Sequence, residues 1–226
     1  MLRKCLALAA AIAIGFSFAT TAQQQPPAAA GAAGQPAAQA EPEAEPEAEV
    51  LPADVERGRA RAAESCTGCH GEDGRSPTNA TPSLAGQPAP FIVMQMVLFR
   101  NDMRDTPPMP DFARELSEQE VVDLAAFFAS LPAGPPEDRE PRNEERFRQG
   151  AAAAERLGCA RCHYADYHGR NQVPRVAQQR EDYLIPVLTQ YRSGERSGYD
   201  IAMNSILQNA TDDDIAAMAH FLAHLD

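Results

Sequence analysis

The feature that most constrains this chain is a five-residue motif that occurs twice. Cys66-Thr67-Gly68-Cys69-His70 and Cys159-Ala160-Arg161-Cys162-His163 share the pattern Cys-x-x-Cys-His. Disulfides or a four-cysteine zinc site would use the cysteines, but neither explains a histidine directly after each second cysteine. The pattern is typical of covalent haem attachment, because two thiols three positions apart reach the two vinyl groups of one porphyrin. We therefore predict two covalently bound haem c groups, with His70 and His163 as iron ligands.

The similarity between the two halves extends beyond the motifs into a repeat of about 93 residues. Three pairs of positions illustrate it: Pro82 with Pro174, Phe99-Arg100 with Tyr191-Arg192, and Met109 with Met203. A period of this length indicates two domains rather than a solenoid. We expect these domains at 51–132 and 143–226, with a proline-rich interdomain linker at 133–142.

Hydrophobic spacing predicts helices in both halves, and no stretch shows a convincing alternation with a period of two. Middle helices are expected at 90–100 and 182–192, although Pro186 should bend or delay the second one. Ser117 and Thr211 are typical caps for the final helices. Each domain is therefore predicted to be all-α: a helix, the motif, a loop, a middle helix, a methionine-bearing loop and a final helix.

Methionine is the residue type that decides the sixth iron ligand. Met109 lies in the stretch Pro107-Pro108-Met109-Pro110, which we expect to be rigid and non-helical, and Met203 is its counterpart in the repeat. Met103 is the alternative in the first domain. A histidine and a methionine together fill both axial positions and raise the reduction potential, which favours electron transfer over catalysis at the iron. Three other methionines lie on predicted helices and are expected to pack in the hydrophobic core: Met94, Met96 and Met218.

Two prolines are placed to orient the haem histidines. Pro82 and Pro174 follow the motif histidines by 12 and 11 residues. We interpret their carbonyls as acceptors for the second imidazole N–H, rather than as simple turn residues. His220 and His224 lie four residues apart on the last helix, which suits a surface metal. Solvated histidines on a helix face are more common, so we expect no ligand role for them.

The N-terminal residues predict export. Arg3 and Lys4 precede an apolar stretch at 6–18, and small residues follow it, as in a secretory signal peptide at 1–22. The stretch is short for a membrane span, although an uncleaved signal would anchor the protein to the membrane. Residues 23–50 are rich in Ala, Pro and Glu, and we expect them to form a disordered linker. The predicted location is the periplasm.

Charge narrows the range of partners. Loss of the signal would take the formal net charge from -12 to -14 and would leave no lysine in the chain. Such acidity argues against binding to nucleic acid or anionic membrane surfaces. We therefore expect redox proteins with basic docking patches as partners, and no small-molecule substrate.

With these motifs the chain resembles tandem class I cytochrome c domains, most closely the dihaem c4-type cytochromes. The resemblance covers roughly 51–226. It depends on four features of the first domain: Cys-x-x-Cys-His with Gly71 and Gly74, Ser83-Leu84-Ala85-Gly86-Gln87, Phe99-Arg100, and Met109-Pro110. The second domain departs from the pattern at Tyr164, at an insertion containing His168, and at Asn204, which replaces the proline.

The resemblance implies an all-α fold in which each domain wraps around one covalent haem. The first and last helices of each domain would cross, with Gly58 against Phe127 and Gly150 against Phe221. The two haems would face one another across a pseudo-twofold interface.

The resemblance also implies a function: a one-electron carrier between respiratory complexes, such as a quinol-oxidising complex and a terminal oxidase, and not an enzyme. Two alternatives stay open. The first is the cytochrome subunit of a periplasmic dehydrogenase complex. The second is a dihaem enzyme of the peroxidase or thiosulfate dehydrogenase type. Such enzymes need a vacant, histidine-ligated or cysteine-ligated haem, and beyond the signal this chain has no cysteine outside its two motifs.

Overall fold

Helices form the regular secondary structure of this protein in the computed structural model, which describes residues 51–196 and 201–225. The predicted signal and acidic linker lie outside these ranges. The described residues belong to one compact unit, 47–226. No helix within them is both long and apolar enough to cross a membrane.

The first half contains five of the ten helices in the described ranges: α1 Val55–Ser65, α2 Thr67–His70, α3 Ala89–Arg100, α4 Met109–Glu115 and α5 Glu118–Ser130. The second half repeats this order: α6 Glu144–Leu157, α7 Ala160–His163, α8 Glu181–Ser193, α9 Ile201–Leu207 and α10 Asp212–Ala223. Each half has its own hydrophobic core, with Phe127 and Phe128 in the first and Met218 and Phe221 in the second. The predicted all-α fold with two similar domains is confirmed.

The helix boundaries have local causes in the sequence. Ser117 accepts a hydrogen bond from the N–H of Glu120, whose carboxylate accepts one from the N–H of Ser117, so a complete capping box begins α5. Thr211 and Asp214 form the same box at α10. Each box satisfies two backbone donors that a helix N-terminus would otherwise leave without a partner. The two predicted caps are therefore confirmed.

Two glycines allow the first and last helices of each domain to cross in close contact. A Cβ atom on Gly58 would lie 2.0 Å from the carbonyl oxygen of Asp123 and 2.8 Å from the Cβ of Phe127. At Gly150 the corresponding distances to Ala217 and Phe221 are 2.0 Å and 2.6 Å. These contacts lie where the resemblance implied them, between α1 and α5 and between α6 and α10.

Two details of the fold differ from the sequence-based expectation. Pro186 lies inside α8, which nevertheless begins at Glu181, so the proline does not delay the helix. The predicted methionine loops contain short helices, because Met109 is the first residue of α4 and Met203 lies within α9. Proline is tolerated at the start of a helix, where no intrahelical N–H bond is lost, and Pro110 occupies such a position.

The two domains are joined by a pair of reciprocal contacts, which we call the amide clasps. The side-chain amide of Gln87 accepts the N–H of Arg175 at 3.0 Å and donates to the carbonyl of the same residue at 2.8 Å. Gln179 binds Ser83 in the same way, at 2.8 Å and 2.9 Å. Both glutamines are 3% exposed, so their four hydrogen bonds are shielded from water. Because the four residues correspond pairwise in the repeat, the clasps have the reciprocity expected of a pseudo-twofold interface.

The predicted interdomain linker is bonded to the second domain. Arg180 is 5% exposed and forms an ion pair of 2.7 Å with Asp138, while it also donates to the carbonyl of Ser76 in the first half. Arg139 donates to the carbonyl of Ala223 at the end of α10. Arg180 therefore connects the linker with both halves of the protein. The domain boundaries themselves stay predictions.

Candidate haem-binding sites

Each motif histidine is held by a backbone carbonyl from the loop that follows it. His70 Nδ1 lies 2.9 Å from the carbonyl oxygen of Pro82, and His163 Nδ1 lies 3.0 Å from that of Pro174. A carbonyl oxygen only accepts, so Nδ1 is the protonated nitrogen and the lone pair is on Nε2. Burial lowers the pKa of His70, and the opposite effect of the Pro82 hydrogen bond is smaller. Burial therefore keeps the ring neutral. A neutral ring in this tautomer is suited to bind iron through Nε2.

The motif cysteines and the candidate methionines line one continuous cavity of about 520 Å³. It is bordered in the first domain by Cys66, Cys69, His70 and Met109, and in the second by Cys159, Cys162, His163 and Met203. Met109 and Met203 are both half-buried, whereas Met103, which also lines the cavity, is 50% exposed. The cavity therefore brings two thiols, one imidazole and one thioether together in each half.

The four motif cysteines are free thiols in the structure. Cys66 and Cys159 are half-buried, while Cys69 and Cys162 are exposed. Burial is the main cause that raises the pKa of Cys66 and of Cys159.

Two buried arginines give a second reason why this cavity suits haem groups. Among the described residues, two buried side-chain nitrogens have no hydrogen-bond partner, Arg104 Nε and Arg175 Nε. Both arginines line the cavity, and neither forms a salt bridge with a carboxylate within the part of the chain that the structure describes. A buried cation without a countercharge is unfavourable. A haem has two carboxylates on one edge, so the residues present fit the group that the motifs predict.

The cationic character of the cavity was missed at the level of the sequence. Arg104 donates to the hydroxyl of Tyr183 at 3.3 Å, which links the two halves. Burial by itself would raise the pKa of Tyr183, but the guanidinium groups of Arg104 and Arg196 outweigh it and lower this pKa. Arg104 and Arg196 stand 92 positions apart, like Phe99 and Tyr191, so their recurrence in the repeat was an available signal.

The interpretation of His220 and His224 as solvated was wrong. Their exposed fractions are 4% and 5%, because α10 packs against α6, α8 and the linker. Together with Glu181 they form a cluster of metal-ligand type. Every ring nitrogen of the two histidines already has a hydrogen-bonding group of the protein beside it, however. His220 contacts Glu181 and the N–H of Asn143, and His224 contacts the carbonyls of His220 and Glu140. A metal would have to displace these bonds, so the cluster is best explained as a structural polar network.

Comparison with known protein families places one match on each domain. Residues 53–128 match the family described as cytochrome c oxidase, cbb3-type, subunit III, and residues 147–226 match the cytochrome c family. Each match encloses one Cys-x-x-Cys-His motif. Two covalently bound haem c groups are therefore assigned to the chain.

Individual relatives cover both domains together. A cytochrome c4 of Pseudomonas aeruginosa is 32% identical over 179 residues, which are 76% of this chain and 89% of the relative. A thiosulfate dehydrogenase electron acceptor of Thiomonas intermedia is 30% identical over 178 residues, 71% of this chain and 78% of that protein. The crystal structure of reduced recombinant cytochrome c4 from Pseudomonas stutzeri has a TM-score of 0.70 and 26% identity, and covers 77% of this chain and all of that one.

Proposed function

We propose that this chain, which belongs to the dihaem cytochrome c4 family, is a periplasmic carrier of one electron per haem between redox proteins. A quinol-oxidising complex as donor and a terminal oxidase as acceptor are part of the proposal. The observation that supports it most is that each half offers one histidine and one methionine to the same cavity.

The proposed axial ligands are His70 with Met109 in the first domain and His163 with Met203 in the second. When bound, a haem supplies an iron that changes between the ferric and ferrous states by one electron, and histidine–methionine ligation raises its potential. With a histidine and a methionine both bound to the iron, no coordination site would be left for a substrate. The proposal is therefore an electron-transfer protein and not an enzyme.

Pro82 and Pro174 are proposed to hold the ligand histidines in position. Their carbonyls accept the Nδ1–H of His70 and His163, which fixes both the tautomer and the plane of each ring. An acceptor on Nδ1–H also increases the basicity of Nε2, and so would strengthen its bond to a haem iron. The four motif cysteines are proposed to attach the haems through thioether bonds.

Exposed apolar and acidic side chains on the first domain support the proposal that the partner has a basic docking surface. Met103 and Phe112 line the mouth of the cavity and are 50% and 39% exposed. Asp105 lines the same cavity and is exposed, as are Glu115 at the end of α4 and Asp102, which is paired with Arg114. Apolar side chains surrounded by carboxylates suit a partner with an apolar centre and a rim of lysine or arginine.

A second candidate function follows from one of the comparisons. Because a relative is named as the electron acceptor of thiosulfate dehydrogenase, this chain is also a candidate acceptor for a periplasmic dehydrogenase, either as a free carrier or as a subunit. Gel filtration of the native protein from its own cells distinguishes these two forms, since a subunit elutes together with its dehydrogenase.

The experiment that tests the main proposal is stopped-flow oxidation of the reduced protein by membranes that contain a terminal oxidase, at increasing ionic strength. Exposed charges are screened beyond about 8 Å at physiological salt, so the second-order rate constant should fall as salt rises. Replacing Asp105 by Asn and Glu115 by Gln should reduce both the rate at low salt and its salt dependence.

A matched control carries the same change of charge on the other domain. Asp213 and Glu155 are exposed and do not line the cavity, so Asp213→Asn with Glu155→Gln should leave the rate close to that of the original chain. Equal effects of the two double variants would show that only net charge matters. A protein that is reduced but transfers no electrons to any membrane oxidase would contradict the proposed function.

A further inference from the structure

In the second domain the cavity reaches the surface beside two arginines and a tyrosine. Cys162 lines the cavity and is exposed, so the proposed thioether attachment of the second haem lies at the surface. Arg161 directly precedes this cysteine and is exposed, Tyr164 follows it by two residues and is 38% exposed, and Arg170 is exposed as well. We call Arg161, Tyr164 and Arg170 the arginine rim.

The two arginines of the rim carry charges that the protein does not neutralise. Every other exposed arginine of the described residues forms an ion pair with a carboxylate, and these two form none. Arg161 instead lies 3.4 Å from the carbonyl oxygens of Leu157 and Gly158 at the end of α6. Arg170 stacks on Tyr164, with its Cζ 4.6 Å from the ring centroid. Both guanidinium groups are therefore oriented but keep their charge available.

The sign of the local charge differs between the two motifs. Residues 155–172 contain three arginines and two carboxylates, Glu155 and Asp166. The corresponding residues 62–80 of the first repeat contain one arginine and three carboxylates. Although the chain as a whole is acidic, its surface at the second motif is therefore locally basic.

Tyr164 holds its place in the rim in an unfavourable backbone conformation. Its φ of 65° and ψ of 169° lie in a region that is accessible essentially to glycine alone. Gly71 stands at this position of the first repeat, with φ 84° and ψ 147°. Residues held in such conformations cluster at functional sites. Tyrosine and arginine are also the residue types that contribute most to binding at protein interfaces, so the strain and the composition both indicate a contact surface.

We propose that the arginine rim is a second docking surface, which binds a redox partner that has carboxylates around its own redox centre. This inference rests on the proposed function as an electron carrier. The exposed side chains of the first domain, Met103, Phe112 and Asp105, suit a basic partner, so the two haem sites face partners of opposite charge. Complementary charge mainly raises the association rate and rejects wrong partners. Electron donor and electron acceptor therefore do not compete for one surface.

The test is stopped-flow oxidation of the reduced holoprotein by two blue-copper proteins, one with an acidic patch and one with a basic patch beside the copper. The ionic strength is about 0.1 M, where exposed charges more than about 10 Å apart are largely screened. Arg161→Gln with Arg170→Gln removes both charges of the rim. We expect this double variant to lower the second-order rate constant with the acidic copper protein by about tenfold. The rate constant with the basic copper protein should not fall.

Two further variants separate the rim from net charge and from stability. Arg146→Gln with Arg148→Gln is the matched control, since both arginines are exposed on α6 and neither lines the cavity. It changes the net charge equally and should leave the rate with the acidic protein within about twofold of the original. Tyr164→Gly removes the ring and the strained conformation together. It should slow oxidation by the acidic protein, while the Tm does not fall.

The inference is overturned if the rim double variant slows both copper proteins equally or neither of them, if the control double variant slows the acidic one as much, or if Tyr164→Gly leaves its rate unchanged. Failure of the proposed function has a different signature. In that case the unmodified protein itself would lack two low-spin irons with histidine and methionine ligands, or would transfer electrons to neither copper protein.

Discussion

Gln179 and Ser83 belong to different domains and are joined by two hydrogen bonds, in which one side-chain amide satisfies both the N–H and the carbonyl of one backbone residue. Ser83 directly follows Pro82, whose carbonyl accepts from His70. The peptide that holds the first haem histidine is thus itself held by the second domain. Gln87 repeats the arrangement towards Arg175, beside His163.

Removal of one amide clasp should destabilise the holoprotein. In Gln179→Ala the N–H and the carbonyl of Ser83 lose their partners in a buried interface, and unsatisfied buried groups cost about 1–3 kcal/mol each. Because two groups are affected, we expect a loss of about 2–6 kcal/mol, measured by denaturant unfolding. Gln149→Ala is the matched control, since Gln149 is exposed and bonds only within α6, to Glu145. Equal losses in both variants would contradict a structural role for the clasp.

Replacement of either proposed methionine ligand should change one haem only. Met109→Ala and Met203→Ala should each lower one potential, open one iron to carbon monoxide, and remove about half of the weak absorption band near the red end of the visible spectrum that marks ferric–thioether bonding. Visible spectra with and without carbon monoxide measure this. Met103→Ala should change none of these properties. If it does and Met109→Ala does not, Met103 is the ligand.

A methyl group at either helix crossing should be strongly destabilising. Gly58→Ala and Gly150→Ala place a Cβ 2.0 Å from a backbone carbonyl oxygen, so the helices must move apart. Overpacking of this kind costs about 1–3 kcal/mol or more. Gly68→Ala is the control, because a Cβ there meets nothing within 4 Å. Thermal unfolding of the three variants tests this, and a Tm for Gly58→Ala close to that of Gly68→Ala would contradict it.

Acid should destabilise the fold through carboxylates that are held by arginines. The hydrogen bond from Arg57 is the main cause that lowers the pKa of Asp123 below its ordinary value of 3.8, and Arg156 does the same for Asp214. Both groups therefore stabilise the fold above their unfolded pKa. This contribution is lost as pH falls through the lower folded pKa.

The measurement is denaturant unfolding as a function of pH. The free energy of unfolding should be level above about pH 5 and should fall below about pH 4. In Asp123→Asn the decrease should be smaller, because one of the linked groups is absent. An unchanged acid slope in this variant would mean that Asp123 does not contribute.

Much of the fold was predictable because its causes are local. The caps at Ser117 and Thr211 require only a hydroxyl and a carboxylate three residues apart, which the sequence displays directly. The glycine crossings were implied by the family resemblance, and Gly58 and Gly150 lie where it implied them. The motifs indicated where the cavity lies because thiols and imidazole are close in sequence.

The rest could not be predicted because it depends on which segments meet in space. His220 and His224 have the sequence context of surface residues, and the packing of α10 against α6, α8 and the linker buries them. Arg175 looks like any polar loop residue until Gln87 and Ala85 are seen to enclose it. Met109 was expected in a rigid, non-helical stretch because of its flanking prolines, yet prolines at the start of a helix are compatible with α4.

The reciprocity of the two amide clasps has a consequence for the ancestry of this fold. A single-domain ancestor with one glutamine at this position would have made both contacts only as a homodimer, with a true twofold axis between two copies. Gene fusion would then have turned that dimer into one polypeptide. From that moment the residue after each haem proline was free to mutate on one side alone. Ser83 and Arg175 are a difference of the kind that a symmetric dimer, encoded by one gene, could not have had.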